Sequence, residues 1–319
     1  GRTAESTLVS TLLDAAGNPV GEARSAVTLA PGKQTVKQEI PVRSANLWSL
    51  ESPYLYKLVS RVVQAGAPVD ELTTPFGIRT IRFDPDQGFF LNGRRVEIKG
   101  VCNHQDFAGV GVAVPDRIEE DRVAELKAMG CNAWRMSHNP PNPELLAACD
   151  RLGMLVMDEN RRLDTSAEAL GELRRMILRD RNHPSIVIWS IGNEEFRIQG
   201  TDYGARVAKT AQDLVHRLDP TRPVTVAMNG DWGSGFSKVI DMQGCNYRTE
   251  SIDAFHAAHP RQPVIGTETA STVTTRGIYA DEPARGYVSA YGDQFPPWAA
   301  TPWGWWSYYA ARPYLAGGF

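Results

Sequence analysis

Two glutamates, Glu194 and Glu268, follow short apolar runs and have the chemistry of an acid and base pair. Glu194 comes after the run 186–191 and a Gly-Asn step, and Glu268 comes directly after the run 264–267. One carboxyl group of such a pair can donate a proton while the other attacks or stabilises an electron-poor carbon. Cleavage of a glycosidic bond requires both roles, and carboxyl groups roughly 5 to 5.5 Å apart would retain the sugar's configuration. These two residues are therefore the first candidates for a reactive pair.

Distant parts of the chain must be brought together if these residues are to cooperate. From about residue 89 onward, seven apolar runs alternate with amphipathic segments, and the runs are apolar enough to be buried on both faces. This alternation predicts an α/β fold, with a parallel (β/α)8 TIM barrel over residues 85–319. The predicted strands are 96–101, 132–136, 155–158, 186–191, 224–227, 239–243 and 264–267. The predicted helices are 115–129, 143–152, 167–181, 205–218 and 251–259.

The C-terminal residues 315–319 begin like the eighth strand of this barrel and then stop. We therefore expect a barrel that is cut in strand eight, with unpaired edges on its first and seventh strands. Unpaired strand edges recruit other chains, so the sequence favours a homo-oligomer or complementation by missing domains.

The first part of the chain, residues 1–84, has a different pattern, because apolar and polar residues alternate in short runs. Period two is typical of half-buried antiparallel strands. The pattern predicts a small immunoglobulin-like β-sandwich, either complete or lacking its opening strands. The predicted strands are 6–13, 24–29, 35–42 and 54–63. A hairpin is predicted at Asn92-Gly93, since this dipeptide favours a two-residue turn.

Composition excludes several classes of partner. The chain has 319 residues and a net charge of 34 − 37 = −3, without a run of like charges, so no nucleic-acid or membrane partner is expected. The longest apolar stretches are far shorter than the roughly 20 residues that a membrane-spanning helix needs. Four cysteines lack the spacing of a zinc site and are predicted to be packed thiols. The sequence does not indicate a cellular compartment.

Motifs along nearly the whole chain resemble glycoside hydrolase family 2, and the similarity is close to its β-galactosidase branch. The motifs lie at 47–49, 53–56, 76–79, 91–93, 100–104, 132–138 and 188–194. In this family the acid/base follows an Asn on barrel strand four, and the nucleophile closes strand seven. The resemblance implies that Glu194 is the acid/base, Glu268 the nucleophile, and Asn193 the ligand of the sugar 2-hydroxyl. Alternative interpretations are a helix-entry carboxylate, a structural salt bridge and a turn residue, respectively.

The resemblance also implies sugar-binding and positioning roles for four further residues. His104 and His138 match sugar-contacting histidines, with buried core histidines as the alternative. Arg135 matches the arginine that keeps the nucleophile ionised, and its alternative is an ion pair with Asp158 or Glu159. Tyr247 matches the tyrosine that donates to the nucleophile, and a core tyrosine is its alternative. Trp303, Trp305 and Trp306 are predicted to serve packing more than binding.

Taken with these residues, the resemblance implies a retaining hydrolase of terminal β-D-galactosides that works through a covalent glycosyl-enzyme. No cofactor is expected, and no metal either, since the segment 160–164 lacks the acidic and histidine ligands of some relatives. Two alternatives stay open: the same chemistry on a β-glucuronide or β-mannoside, and a non-catalytic carbohydrate-binding or scaffold protein. The nucleophile segment 267–271 differs from the commoner Ser-Glu-Tyr-Gly pattern, and this chain alone is expected to be inactive if missing regions complete the pocket.

Overall fold

The computed structural model describes residues 3–319. Contacts between Cα atoms divide the chain into two compact units. The first runs to Arg79 and includes 150–153 and 182–184; the second contains the remaining residues from Thr80 onward. The predicted domain boundary between residues 84 and 85 stays a prediction.

The first unit contains one four-stranded antiparallel sheet. Its strands are β1 (Ala4–Leu13), β2 (Pro19–Leu29), β3 (Tyr56–Gln64) and β4 (Ala67–Phe76). Their spatial order is β2-β1-β3-β4, so β1 and β3 are central. Burial alternates along β2, as the period of two predicts. Among residues 3–79, the predicted sandwich is thus represented by this single sheet.

Two segments of this unit differ from the prediction. Residues 35–42 form no strand, although Gln38, Ile40 and Val42 are half-buried in alternation. An alternating pattern decides which side chains turn inward, but a strand also needs a backbone partner, which the pattern does not reveal. Strand β4 was not predicted because its side chains are almost all exposed. It is an edge strand joined to β3 by a turn at Ala65-Gly66, where both φ angles are positive.

The second unit begins with a small antiparallel sheet. It consists of β5 (Ile81–Asp84), β6 (Gly88–Leu91) and β7 (Arg94–Arg95). Asn92 and Gly93 connect β6 to β7 with φ angles of 52° and 76°. The predicted hairpin is confirmed, since both turn residues adopt the left-handed conformation that this turn requires.

Eight parallel strands then form a closed barrel. They are β8 (Ile98–Asn103), β9 (Ala133–Met136), β10 (Leu155–Glu159), β11 (Ile186–Asn193), β12 (Val224–Met228), β13 (Gln243–Asn246), β14 (Val264–Glu268) and β15 (Leu315–Gly318). The α-helices are α1 (Asp116–Ala128), α2 (Pro143–Leu152), α3 (Ala167–Asp180), α4 (Asp202–Leu218), α5 (Thr249–Ala258) and α6 (Pro302–Ala310). Every residue of β10, β11 and β12 is buried, so the predicted TIM barrel and its apolar strands are confirmed.

The eighth strand changes the expectation about open edges. β15 pairs with β14 on one side and with β8 on the other, so the edges predicted to be unpaired are both occupied. The four residues of β15 close the barrel, and the backbone passes very close to β8 here. A Cβ atom on Gly317 would lie 2.1 Å from the carbonyl oxygen of Ile98, so only glycine fits.

One barrel strand lies further along the chain than the sequence predicts. The apolar segment 239–243 largely precedes β13, which runs from Gln243 to Asn246. Both of these polar residues are fully buried and hydrogen-bonded: the Gln243 side chain accepts from Ser237 Oγ at 2.6 Å. A strand with buried amides has no continuous apolar signature, so the prediction moved to the apolar residues before it.

Polar residues that precede three of the helices fix where those helices begin. Ser166, Thr201 and Thr301 accept hydrogen bonds from the backbone amides three residues later, at the starts of α3, α4 and α6. A short loop connects β10 to helix α3, and this loop and helix together line a cleft. Among residues 3–319, the helices are all too short or too polar to cross a bilayer.

Candidate active site

The carboxyl ends of the barrel strands bring the predicted site residues together, as expected for this fold. The sequence-predicted residues lie at or just after five different strands: His104, Arg135, His138, Asn193, Glu194, Tyr247 and Glu268. Residues separated by more than 130 positions thus become neighbours, as Arg135 Nη1 and the carbonyl oxygen of Thr267 do at 3.1 Å.

Glu268 ends β14 and has a hydrogen-bond donor on each carboxylate oxygen. Arg135 Nη1 donates to Oε1 at 2.7 Å, and the Tyr247 hydroxyl donates to Oε2 at 2.6 Å. The side chain is 15% exposed, so the fixed carboxylate still reaches the solvent-accessible mouth. The predicted neighbours Arg135 and Tyr247 therefore both contact this residue and determine its orientation.

Arg135 is fully buried and connects three strands. Besides Glu268, its guanidinium contacts Glu159 Oε2 at 2.7 Å and donates from Nη2 to Asn193 Oδ1 at 2.8 Å. The two interpretations from the sequence, a contact with Glu268 and an ion pair with Glu159, are therefore both present. Planar donors on several edges make arginine suitable for this bridging position, where lysine would lose contacts.

Glu159, at the end of β10, balances the buried charge of Arg135. It also lies 2.6 Å from His138 Nδ1 and accepts from the Ser190 hydroxyl at 2.9 Å. Burial alone would raise the pKa of this carboxyl group, but the charge of Arg135 and the hydrogen bond from His138 lower it below its ordinary value of 4.5. Glu159 is thus an ionised anchor beneath the site.

Glu194 and Tyr247 have an uncommon backbone conformation. Their φ angles are 51° and 58°, in the left-handed region that favours glycine. Backbone hydrogen bonds hold both residues in place, from Glu194 to Ala227 at 2.9 Å and from Tyr247 to Glu268 at 2.6 Å. Strained residues of this kind concentrate at functional sites, because the surrounding structure must stabilise them. The strained backbone therefore indicates functional residues at the ends of β11 and β13.

Asn246 was not singled out in the sequence, yet it connects Glu194 to the Glu268 strand. Its side-chain amide donates to Glu194 Oε1 at 2.8 Å, and its Oδ1 accepts from the Thr267 hydroxyl at 2.5 Å. The residue is fully buried at the end of β13. Its place directly before Tyr247 was the only signal in the sequence. The hydroxyl of Thr267 fixes which way the amide faces, so Glu194 receives a donor.

The electrostatic surroundings of Glu194 differ from those of Glu159. Burial raises the pKa of Glu194, the hydrogen bond from Asn246 lowers it, and the negative charge of Glu268 raises it again; the net direction is upward from 4.5. A proton is therefore retained on Glu194 to higher pH than on an ordinary glutamate. The two candidate carboxyl groups influence each other through space, as a shared reaction centre requires.

Asn193, directly before Glu194, is buried and its Oδ1 is occupied by Arg135. The hydrogen bonds of its side chain to residues 3–319 involve Oδ1, so Nδ2 keeps a donor for a further partner. His138 is 23% exposed and packs edge-to-face on His104, with ring centroids 5.4 Å apart. His104 is exposed, so the alternative of a buried core histidine does not hold for it.

A cavity of about 580 Å³ opens beside these side chains. Glu268, Tyr247, His104 and His138 line it, together with Trp305 from α6. Its volume lies in the range of small-molecule sites. Glu194 and Asn193 are not part of this lining; the hydrogen bonds through Asn246 and Arg135 connect them to it.

Tryptophan and cysteine positions match the sequence interpretation only in part. Trp305 packs on Tyr309 with ring centroids 4.8 Å apart, while Trp303 is 77% exposed.

Cys149 and Cys245 are buried, as predicted for packed thiols. That prediction is wrong for Cys102, which is exposed and lines the cavity near the end of β8. The thiol itself contacts the carbonyl oxygen of Thr267 at 3.3 Å, and burial of the sulfur atom raises its pKa to about 11.

A protein metal site needs several donor side chains that converge on one point. Within the described range, residues 3–319, no cluster of three or more His, Cys, Asp or Glu side chains is arranged to hold a metal ion. The expectation that no metal is needed stays a prediction.

Comparison with protein families identifies the origin of this arrangement. The family model "Glycosyl hydrolases family 2, TIM barrel domain" matches residues 84–172 and 163–287, and "Glycosyl hydrolases family 2" matches residues 1–79. The chain belongs to glycosyl hydrolase family 2. The resemblance drawn from the sequence motifs is thereby confirmed, and the barrel and the preceding sheet correspond to two segments of this family.

Individual relatives within the family carry different names. The chain is 39% identical over 320 residues to "Beta-galactosidase BoGH2A" of Bacteroides ovatus, covering 86% of this chain and 38% of that protein. It is 36% identical over 263 residues to a "Putative beta-glucuronidase" of Formosa agariphila, covering 79% and 24%. A solved family 2 member from Bacteroides cellulosilyticus superposes with a TM-score of 0.84 at 32% identity, covering 100% and 41%. The chain spans less than half the length of each.

Proposed function

We propose that this family 2 chain carries the catalytic centre of a retaining glycosidase. The observation that carries the proposal is the connected pair of carboxyl groups: Glu268 is held by Arg135 and Tyr247, and Glu194 is held by Asn246 with a raised pKa. In the first step, an oxygen of Glu268 attacks the anomeric carbon. The bond to the leaving oxygen breaks, and Glu194 gives that oxygen its proton.

The second step uses the same residues in reversed roles. A water molecule attacks the anomeric carbon, Glu194 takes its proton, and the ester bond to Glu268 breaks, which frees the sugar and restores both carboxyl groups. While Glu268 is esterified it has no charge, so its contribution to the raised pKa of Glu194 disappears. Glu194 therefore becomes a better base when a base is required.

For the substrate, we propose a terminal, non-reducing β-D-galactoside. The similarity to a protein named beta-galactosidase over 86% of the chain supports this choice. Asn193 would donate to the sugar 2-hydroxyl through its Nδ2, an interaction that strengthens in the transition state. His104 and His138 would contact other hydroxyl groups from the wall of the cavity, because imidazole can both donate and accept hydrogen bonds.

A second candidate substrate is a β-glucuronide. It is favoured by the relatives of Formosa agariphila and Bacteroides fragilis that are named putative beta-glucuronidase and beta-glucuronidase. The chemistry at Glu194 and Glu268 would be the same, and only the recognition of the sugar's sixth carbon would differ.

The test is hydrolysis of the 4-nitrophenyl β-D-galactoside, β-D-glucuronide and β-D-mannoside by the full chain. We expect the highest kcat/KM on the galactoside, and proton NMR should show the β-anomer of galactose as the first product. A higher kcat/KM on the glucuronide would change the proposed substrate from a galactoside to a glucuronide and leave the proposed mechanism unchanged. First release of the α-anomer would contradict the mechanism, and binding of galactose without turnover would favour a non-catalytic protein.

A further inference from the structure

A second cavity, of about 470 Å³, lies between the loop after β10 and one face of α3. The loop contributes Arg161 and Arg162, while the helix contributes Glu172, Arg175 and Arg179. The helix residues are spaced by three or four positions, which places them on one face. We call this group the arginine cleft.

Three of the four guanidinium groups in the arginine cleft already contact a carboxylate. The pairs are Arg161 with Glu195 at 3.2 Å, Arg162 with Asp164 at 2.8 Å, and Arg179 with Asp180 at 2.6 Å. Arg175 differs, since no carboxylate of residues 3–319 lies within 4 Å of it. Arg175 is exposed and lines the cleft, and no carboxylate of the described residues occupies its donors.

The arginine cleft begins next to the acid/base. Arg161 Nη1 donates to the backbone carbonyl of Asn193 at 3.3 Å and to the Glu195 carboxylate at 3.2 Å. These residues lie directly before and after Glu194 in the chain. The acid/base of a glycosidase protonates the leaving oxygen, so the space on its side is where the leaving group departs.

We propose that the arginine cleft is a subsite for a carboxylate on the leaving-group side of the substrate, with Arg175 as its principal ligand. The fork of donors on a guanidinium matches the two oxygens of a carboxylate. A cavity of about 470 Å³ has room for a sugar unit that carries such a group. The substrate class is thus a glycoside whose leaving group is an acidic sugar, and this rests on the proposed function only for the position of the leaving group.

Glu172 gives the proposal a second, opposite test. It lines the same cavity one turn before Arg175, and no cation among residues 3–319 pairs with it within 4 Å. Its negative charge opposes a bound carboxylate. Loss of this charge should therefore favour acidic leaving groups, whereas loss of Arg175 should disfavour them.

Lactobionate and lactitol provide a matched pair of probes. Both are galactosides with an open-chain leaving group, and they differ in that one ends in a carboxylate where the other has a hydroxymethyl group. We expect Arg175→Met to lower the ratio of kcat/KM for lactobionate over lactitol by about two- to fivefold, since the contact is exposed. Glu172→Gln should raise the same ratio. Arg174→Met, an exposed neighbour outside the cleft, is the matched control and should leave it unchanged.

A binding measurement separates the cleft from the identity of the hydrolysed sugar. The leaving groups alone, D-gluconate and D-glucitol, are titrated into the full chain while the Nε–Hε signals of arginine are followed by NMR. We expect gluconate, and not glucitol, to shift the signal that is lost in Arg175→Met. If neither disaccharide is hydrolysed, the galactoside assignment fails, and the gluconate titration still decides about the cleft. An Arg175 signal that responds equally to both compounds overturns the subsite, as does an unchanged kinetic ratio in Arg175→Met.

Discussion

The side-chain amide of Asn246 donates a 2.8 Å hydrogen bond to Oε1 of Glu194. The same amide accepts a hydrogen bond from Thr267, the residue directly before Glu268. Strands β11, β13 and β14 are thus connected by one chain of buried polar contacts. In a low-dielectric interior such a chain both orients a carboxyl group and adjusts its pKa.

Replacing Asn246 by Ala should move the pH profile upward. The hydrogen bond from Asn246 lowers the pKa of Glu194, so its loss raises that pKa further above 4.5. Bond cleavage needs protonated Glu194, so the alkaline limb of kcat/KM should shift to higher pH, with a loss of roughly tenfold at the optimum. Rates on 4-nitrophenyl β-D-galactoside across pH 4 to 9 measure this. A limb that moves to lower pH would be incompatible with the assigned contact, and Asn18→Ala, in an exposed turn, serves as the control.

The acid role of Glu194 predicts a dependence on the leaving group. Glu194→Ala should slow lactose hydrolysis by roughly 10² to 10⁴, because its leaving oxygen needs a proton. Hydrolysis of 2,4-dinitrophenyl β-D-galactoside should lose much less, since that leaving group departs as an anion. Glu125→Ala, at an exposed position on α1, is the control, and both substrates should keep rates within about twofold. Equal losses on both substrates in Glu194→Ala would refute the acid role.

Glu159→Gln should destabilise the protein in a pH-dependent way. Removing the fully buried partner leaves Arg135 with Glu268 as its remaining carboxylate contact, and breaking such a buried pair costs up to about 3–5 kcal/mol at neutral pH. The folded pKa of Glu159 is below 4.5, so the stability it contributes is present above that value and is lost as pH falls through the folded pKa.

Urea unfolding at pH 7 and pH 3.5 tests this prediction. The gap between wild type and Glu159→Gln should narrow at the lower pH. Glu125→Gln, at an exposed position on α1, should stay within about 0.5 kcal/mol of wild type at both. A gap that widens on acidification would contradict the ionised state of Glu159.

Asp158 should affect the free energy of unfolding with the opposite pH dependence to Glu159. Asp158 is fully buried, and burial followed by the charge of Asp180 raises its pKa well above 3.8. Such a carboxyl group costs stability progressively as pH rises from 3.8 toward its folded pKa. Asp158→Asn removes that cost, so its unfolding free energy relative to wild type should increase from pH 5 to pH 8. Denaturant titrations at both pH values measure this difference. If the unfolding free energy of Asp158→Asn relative to wild type decreased instead, Asp158 would be ionised in the folded protein.

The barrel could be predicted from sequence because its strands are continuous apolar runs between amphipathic helices. The exception, β13, was displaced because Gln243 and Asn246 are polar and yet buried. Pairing partners carry no such signal, which is why 35–42 was predicted as a strand and β4 was not. Fold and motifs together were sufficient to place Glu194 and Glu268 at one barrel mouth.

The rest of the site depends on contacts between residues that are distant in sequence. Glu159 was considered only as an alternative partner of Arg135, and its bonds to His138 and Ser190 appear only in three dimensions. The sequence does not distinguish Asn246 from other asparagines, because its role depends on the hydrogen bond from Thr267 that orients its amide. The arginine cleft was invisible for the same reason, since Arg161 and Arg175 converge only when α3 packs beside the loop after β10.

Trapping of the covalent bond between Glu268 and the sugar is the decisive test of the proposed mechanism. The full chain is incubated with 2,4-dinitrophenyl 2-deoxy-2-fluoro-β-D-galactoside, digested, and mapped by tandem mass spectrometry. We predict time-dependent inactivation with one fluorogalactosyl group on Glu268, and no labelling in Glu268→Gln. A fluorogalactosyl group on Glu194 or on any other residue would show that Glu268 is not the nucleophile.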